Sequence, residues 1–202
     1  WLDEGISIKS MEKYYIRYSV SREQVIIPHF DIDGNLIGIR GRNLNDFALL
    51  NGKYMPVKIE GKFYSHPLSY NLYGLNFTKE SIARKKIVFI FEGEKSTLLS
   101  DSWYDENSVA VSTCGNKLNK FQVNLLMKLG VREAIICYDR MNKDRYDDSY
   151  FNKLYSLCKK YSNYMNFSFI YDRNCILEYK AAPVDSGKET FEKLLQQRVV
   201  VK

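Results

Sequence analysis

Lys85-Lys86-Ile87-Val88-Phe89-Ile90-Phe91-Glu92-Gly93-Glu94-Lys95-Ser96 is the stretch whose reading decides the fold. Its continuous apolar run, Ile87 to Phe91, is rich in β-branched and aromatic residues and stops abruptly in an acidic, glycine-bearing turn. That pattern predicts a buried strand delivering Glu92 to its C-terminal edge, where open α/β sheets place their chemistry. Gly93 permits a tight turn, and Lys95 to Trp103 restarts as a helix, which sets Glu92 at a strand-to-helix junction. Taken alone, the segment fits an active carboxylate and a solvated acid in a βα loop equally well.

Working outward, the chain after Phe77 alternates strand and helix. Strands are expected over Ile87 to Phe91, Ser108 to Val111, Ala134 to Tyr138 and Asn166 to Tyr171. Helices are expected over Lys95 to Trp103, Leu118 to Leu129 and Asp148 to Tyr161. Strands separated by helices imply a mainly parallel central sheet covered on both faces. Phe121, Leu125 and Leu129 repeat every four residues, with Gly130 placed as a C-cap. Ser186-Gly-Lys-Glu189 has the signature of a capping box opening a last helix through Phe191, Leu194 and Leu195.

Before that boundary the pattern differs. Ile6, Ile8, Met11 and Tyr15 mark a short N-terminal helix. Gln24 to Phe30 and Leu36 to Arg42 then form a hairpin about Asp33-Gly34, a strong short-range turn signal. An EF-hand is excluded there because its spacing and terminal glutamate are absent. Arg40 and Arg42 alternate onto one face, which fits a forked donor pair for phosphates or a charged edge strand kept soluble. Lysines interleave with tyrosines through Asn51-Gly-Lys-Tyr54 and Gly61 to Pro67, which suits single-stranded nucleic acid or a tyrosine-lined core. A boundary near 77 to 84 therefore divides a small basic subdomain, 1–80, of α+β type, from an α/β subdomain, 81–202.

Composition bounds the function. The 202 residues carry 30 Lys plus Arg against 24 Asp plus Glu, a net +6 that suits a polyanionic partner. Cys114, Cys137, Cys158 and Cys175 contain no Cys-x-x-Cys pair, so neither a zinc knuckle nor a disulfide framework is indicated, and a reducing cytoplasm fits. No apolar run is long enough to span a membrane. The start at Trp1 reads as a piece excised from a longer protein. No Gly-x-Gly-x-x-Gly follows a strand, and no Gly-x-x-x-x-Gly-Lys-Ser/Thr loop occurs.

The acids supply the chemistry. Two or three carboxylates gathered at strand ends are the hardware for Mg²⁺, which keeps several waters and is completed by substrate phosphates. Glu92 is one candidate and Asp139, directly after Ile135-Ile-Cys-Tyr138, is the second. Asp144, Asp147 and Asp148 follow, each also suited to a turn or a helix cap. Glu94 and Lys95 either support the site, Lys95 as a phosphate contact, or lie exposed on the surface.

Phe91-Glu92-Gly93-Glu94-Lys95-Ser96 resembles the glutamate motif of the Toprim family, the metal-binding catalytic domain of bacterial-type primases, topoisomerases and some nucleases. The first third is similar to the N-terminal part of the primase RNA polymerase core. The matching series runs Trp-Leu-x-x-Gly-Ile, Ile-Pro-His before an Asp-Gly turn, Gly-Ile-Arg-Gly-Arg-Asn-Leu, Lys-Tyr, and Leu-Tyr-Gly-Leu-Asn. Near the end, Tyr179 to Glu189 resembles the segment after the last Toprim strand, where Asp185 matches the later aspartate. The resemblance implies a DNA primase core of bacterial or phage type that makes short RNA primers on single-stranded DNA from ribonucleoside triphosphates with Mg²⁺ or Mn²⁺. It implies Glu92 and Asp139 as catalytic acids, Glu92, Asp139 and Asp185 as metal ligands, and Arg40, Arg42 and Lys53 as phosphate contacts. It also implies a replicative helicase as partner through a flanking domain beyond these residues.

The chain departs from the family at four places, the first being a lysine that many relatives carry shortly before Leu-Tyr-Gly-Leu and that has no clear match here. Met141 stands where the second aspartate of Asp-x-Asp is expected, Ala181 where an aspartate is often found, and Ser96 where many primases carry another acid. A Toprim nuclease and a single-strand-binding module without catalysis remain as alternatives. The Arg-Gly-Arg hairpin and the Leu-Tyr-Gly-Leu segment argue against the nuclease.

Overall fold

A computed structural model describes residues 1–50 and 52–202, so Asn51, which opens the expected Lys-Tyr loop, lies outside the described residues. The first helix, α1 (Ile8–Lys13), begins at Ser7, whose side chain accepts from the Ser10 amide. This cap starts the helix later than the sequence reading and resets its phase. Ile6, Ser10 and Tyr14 face inward, while Ile8 and Tyr15 are exposed. Ser10 is tolerated inside because its hydroxyl donates to Asp101 Oδ2 at 2.8 Å.

Four strands follow: β1 (Arg17–Ser19), β2 (Gln24–Phe30), β3 (Leu36–Asn43) and, after the short helix α2 (Asp46–Leu49), β4 (Tyr54–Pro56). They form an antiparallel sheet in the order β1-β2-β3-β4. The hairpin turn is built by Asp31, whose Oδ1 accepts from the amides of Asp33 at 3.0 Å and Asn35 at 2.9 Å, while Gly34 takes φ +90°. Strand β3 pairs on both sides, so Arg40 and Arg42 do not lie on an edge. Register places them across from Ile27 and Val25, on the face that also buries His29. A small ribbon, β5 (Lys58–Ile59) with β6 (Lys62–Phe63), completes this part.

The second part begins at Gly74, with φ +86°, and helix α3 (Leu75–Lys85), which occupies the stretch where the sequence set its subdomain boundary. Then come β7 (Ile87–Phe91), α4 (Glu94–Tyr104), β8 (Ala110–Ser112), α5 (Lys120–Lys128), β9 (Glu133–Ile136), α6 (Asp148–Tyr161), β10 (Asn166–Phe169), α7 (Lys188–Gln196) and β11 (Val199–Val201). The sheet order is β11-β10-β9-β7-β8, parallel except for β11 against β10. The mainly parallel sheet flanked by helices that the alternating pattern predicts is the one that forms.

Register explains how both faces are covered. Val88, Ala134 and Phe167 lie side by side, as do Ile90, Ile136 and Phe169, and α6 packs Tyr161 and Phe151 on this face. On the opposite face Phe89 and Phe91 meet Phe191 of α7 at 5.6 and 5.9 Å between ring centroids. Strands buried on both faces read as unbroken apolar runs, which is why Ile87 to Phe91 was so legible.

Some local expectations are corrected. The ladder of β9 ends at Ile136, and Cys137 and Tyr138 are buried beyond it, Cys137 still donating to the Ile90 carbonyl at 2.8 Å. Helix α5 buries Gln122, Val123 and Leu126, while Phe121 turns outward against Tyr70. Gln122 is inside because it forms a capping box with Asn119 and donates to the Asn71 carbonyl at 2.8 Å. Gly130 takes φ +69° just past the helix, as expected. Helix α7 starts from Gly187 with no side-chain cap, so the expected Ser186 to Glu189 box does not form. Strand β11, unread in the sequence, closes one side of the sheet.

Candidate active site at the carboxyl ends of the central strands

Strand β7 ends at Phe91, and the next residue, Glu92, is half-buried at its carboxyl end. Strand β9 ends nearby, and three residues later Asp139 stands beside it. Asp185 reaches the same place from the other direction. The Arg140 amide donates to the Ala181 carbonyl at 2.8 Å and the Lys180 amide to the Arg140 carbonyl at 2.8 Å, tying the two loops together. The Arg140 guanidinium donates to the Leu177 carbonyl at 2.9 Å, and Asn142 donates to the Asp172 carbonyl at 3.0 Å. Asp185 itself is steadied by accepting from the Ala182 amide at 2.9 Å.

Across from these acids stands the N-terminal sheet. Arg40, Arg42, Lys53 and Tyr54 close the far wall of a cleft of about 310 Å³ that Glu92, Asp139, Asp185 and Lys95 line on the near side. Arg40, Arg42, Lys53, Glu92, Lys95, Asp139 and Asp185 therefore border one cavity, although they are scattered along the chain. Lys95 Nζ lies 3.2 Å from Asp185 Oδ1 and also pairs with Glu4. Arg42 lies over the Trp1 ring at 5.6 Å and the Tyr54 ring at 5.9 Å. Trp1 and Glu4, which the sequence did not single out, thus border the basic wall.

The electrostatics are strained in one direction. Burial, and then the neighbouring Asp139, push the Glu92 carboxyl up to about 7. Burial, and then Asp185, push Asp139 up to about 6. Burial, with Arg42 and Lys95 beside it, lowers the Lys53 ammonium. Lys95 is held up despite its burial by Glu4 and Asp185. The acids crowd one another on one side, and the cations crowd one another on the other.

Two carboxylates that repel in a half-buried cleft are the donor set a hard divalent cation relieves, with oxygen ligands and an open side for water or phosphate. Glu92, Asp139 and Asp185 are of that chemical type and line one cleft, but among the described residues the set whose donor atoms gather within 4.8 Å of one another is His29, Glu94 and Cys114 rather than these three acids. Gly93 leaves the turn between Glu92 and Glu94 bare, since a Cβ there would meet nothing within 4 Å. Asp144 and Asp147 are spent on turns, accepting from the amides of Tyr146 at 2.7 Å and Lys143 at 3.0 Å. With Asp148 they stand outside the residues lining the cleft. Met141 is exposed and Ser96 is buried.

Of the two readings the sequence left open for Glu94, support of the site or exposure on the surface, the structure removes the second. Rather than lying exposed it is 1% accessible, paired with Arg40 and 3.2 Å from His29 Nε2. Burial alone would raise its carboxyl, but the His29 and Arg40 contacts hold it well below the usual carboxylate range. The signal for His29 was present in the strand alternation, because Val25, Ile27 and His29 share the buried face.

No family model matches the sequence. Over its whole length the chain is 36% identical to YorJ, an uncharacterised SPbeta prophage-derived protein of Bacillus subtilis, of which it covers 57%. It is 32% identical over 138 residues to a DNA primase of Clostridium acetobutylicum, matching 68% of this chain and 21% of that protein. The chain therefore spans little more than half of one curated relative and about a fifth of the other. Among solved structures, the zinc-binding and RNA polymerase domains of the Aquifex aeolicus primase superpose with a TM-score of 0.73 at 21% identity, covering 99% of this chain and 55% of that one. A DnaG primase catalytic domain bound to single-stranded DNA superposes with a TM-score of 0.71 at 20% identity, covering 98% of this chain and 70% of that one.

Proposed function

From the premise that the chain carries the Toprim fold of bacterial DNA primase catalytic cores, we propose that it is the RNA polymerase core of a primase, making short RNA primers on single-stranded DNA from ribonucleoside triphosphates. The observation that carries this reading is the single cleft in which Glu92, Asp139 and Asp185, with Lys95 beside them, face Arg42 and Lys53. In this division of labour residues 1–80 present the basic wall and residues 81–202 present the acids.

Glu92, Asp139 and Asp185 are the residues that would hold Mg²⁺ or Mn²⁺ in this cleft. Such a cation neutralises charge on phosphoryl oxygens and lowers the pKa of an attacking hydroxyl. The protein's own groups do the rest. Lys53, Lys95 and Arg42 meet the triphosphate as point charges and a planar fork, fixing the reacting phosphate against the acids. Glu4 and Asp185 hold Lys95 at the rim until phosphate replaces one of them. The template runs along the N-terminal sheet, the helicase docks through a domain outside these residues, and the protein works in the cytoplasm.

The test is primer synthesis on a mixed single-stranded template with labelled ribonucleotides and Mn²⁺ or Mg²⁺, comparing wild type with Glu92→Gln. Short RNA that disappears in the variant supports the reading, and shortening of the template by wild type alone identifies a nuclease instead. A second reading, a single-strand-binding module without catalysis, draws on Met141 at the position where an acid would complete the metal site. It predicts template binding that is indifferent to Mg²⁺ and no RNA product from either protein, with the flanking domains supplied.

A further inference from the structure

Among the described residues, the most deeply buried ionic cluster borders the cleft, Arg40 and Glu94 both lining it, and has no part in holding metal or phosphate in the function proposed above. Glu94 and His29 are each 1% accessible. Arg40 Nη1 and His29 Nε2 both approach the same carboxylate oxygen, Glu94 Oε1. The three come from different elements: His29 from β2, Arg40 from β3, and Glu94 from the first turn of α4. His29 is boxed in further by His66 and Tyr73, each with its ring centroid 4.8 Å away. The backbone is shaped around this packing, for a Cβ on Gly38 would lie 2.3 Å from His66 Nδ1.

Cys114 adds a fourth polar group, and its sulfur lies with donor atoms of His29 and Glu94 inside 4.8 Å. A histidine, a glutamate and a cysteine form a set that could take a transition metal. Arg40 decides against it. A guanidinium is always charged and already occupies the carboxylate, so a dication would enter beside a fixed positive charge.

We infer that Glu94, Arg40 and His29 form a buried brace that docks the N-terminal sheet onto the first turn of α4, and that Glu94 and Arg40 are positioning residues rather than a metal ligand and a phosphate contact. The consequence is geometric. Glu94 is two residues from Glu92, and Arg40 is two residues from Arg42 on the same face of β3. One ion pair therefore sets the acidic wall and the basic wall of the cleft at a fixed separation. Arg40 is the inner arginine of the pair and Arg42 the outer one.

The inference rests on the proposed function only for what the cleft binds. The test compares Glu94→Gln, Arg40→Gln and the double variant with wild type, with Glu92→Gln and Arg42→Gln as references. Mn²⁺ affinity is read by electron paramagnetic resonance. Affinity for ATP in Mn²⁺ and for single-stranded DNA at several salt concentrations is read by fluorescence, and stability by urea unfolding. Glu94→Gln is expected to keep Mn²⁺ affinity within threefold of wild type while Glu92→Gln loses at least tenfold. Either brace variant alone is expected to weaken ATP at least fivefold and lower the urea midpoint. The double variant recovers at least half of each loss, because removing both partners leaves no orphaned buried charge. Arg42→Gln lowers the salt slope of DNA binding by about 0.7, the value for one phosphate contact on a single strand, and Arg40→Gln leaves it unchanged.

Loss of Mn²⁺ in Glu94→Gln as deep as in Glu92→Gln, additive losses in the double variant, or a reduced salt slope in Arg40→Gln would each overturn the brace. So would a thiolate-to-cobalt absorption band on titration with Co²⁺ that Cys114→Ser abolishes. If wild type binds neither Mn²⁺ nor ATP, the proposed function falls, and the urea cycle still reads the brace by itself.

Discussion

With Glu92 and Asp139 holding the metal as proposed, protons compete with it for the same carboxylates, so Mn²⁺ affinity is expected to rise steeply with pH through neutrality. Glu92 is pushed up to about 7 by burial and by Asp139, and Asp139 to about 6 by burial and by Asp185. A carboxylate must be ionised to ligate. Between pH 6 and pH 8 the ionised fraction rises about tenfold for Glu92 and about twofold for Asp139, so the affinity should rise about 20-fold. The sign for stability is opposite. Both groups bind protons more tightly folded than unfolded, so their contribution is full at pH values below their ordinary range and is lost as pH rises through 6 and 7. Without metal the thermal midpoint should decline over that window, and Mn²⁺ should raise it more at pH 8 than at pH 6. Electron paramagnetic resonance titrations at the two pH values measure the affinity directly. Glu92→Gln should leave only about the twofold dependence that belongs to Asp139. Equal affinity at both pH values, or a Glu92→Gln protein with the full pH slope, would refute the reasoning.

Other expectations concern the scaffold that holds the site. Phe191 is fully buried against Phe89, Phe91 and Trp103, so Phe191→Ala should cost about 3–5 kcal/mol in urea unfolding. Gly74 takes φ +86° and an added Cβ would lie 2.9 Å from Thr97 Cγ2, so Gly74→Ala should destabilise by more than about 1 kcal/mol, where an exposed Gly61→Ala control reports the backbone strain alone. Asn119→Ala removes the cap of α5 and should cost about 1 kcal/mol, with the loss visible as earlier amide exchange in the first turn of that helix.

The strand Ile87 to Phe91, the alternation of strands and helices, the Asp-Gly hairpin and the positions of Glu92 and Asp139 were all legible in the sequence. Each is a local pattern: an apolar run with a polar stop, a period, or a turn dipeptide, written in consecutive residues. What misled the reading was also local. Phe121, Leu125 and Leu129 keep helical spacing, yet the capping box of Asn119 and Gln122 turns α5 so that Gln122 and Val123 go inside. Glu92, Asp139 and Asp185 could be named one at a time, but nothing in the chain between Asp139 and Asp185 says that they line one cleft. That meeting depends on the backbone bonds between Arg140, Lys180 and Ala181. Likewise the sequence by itself determined that β3 carries two arginines on one face, because alternation is a property of any strand. Only the tertiary structure decided that Arg40 pairs with Glu94 while Arg42 lies over Trp1 and Tyr54, although both arginines line the cleft, because which charge is paired depends on what a distant element places opposite it.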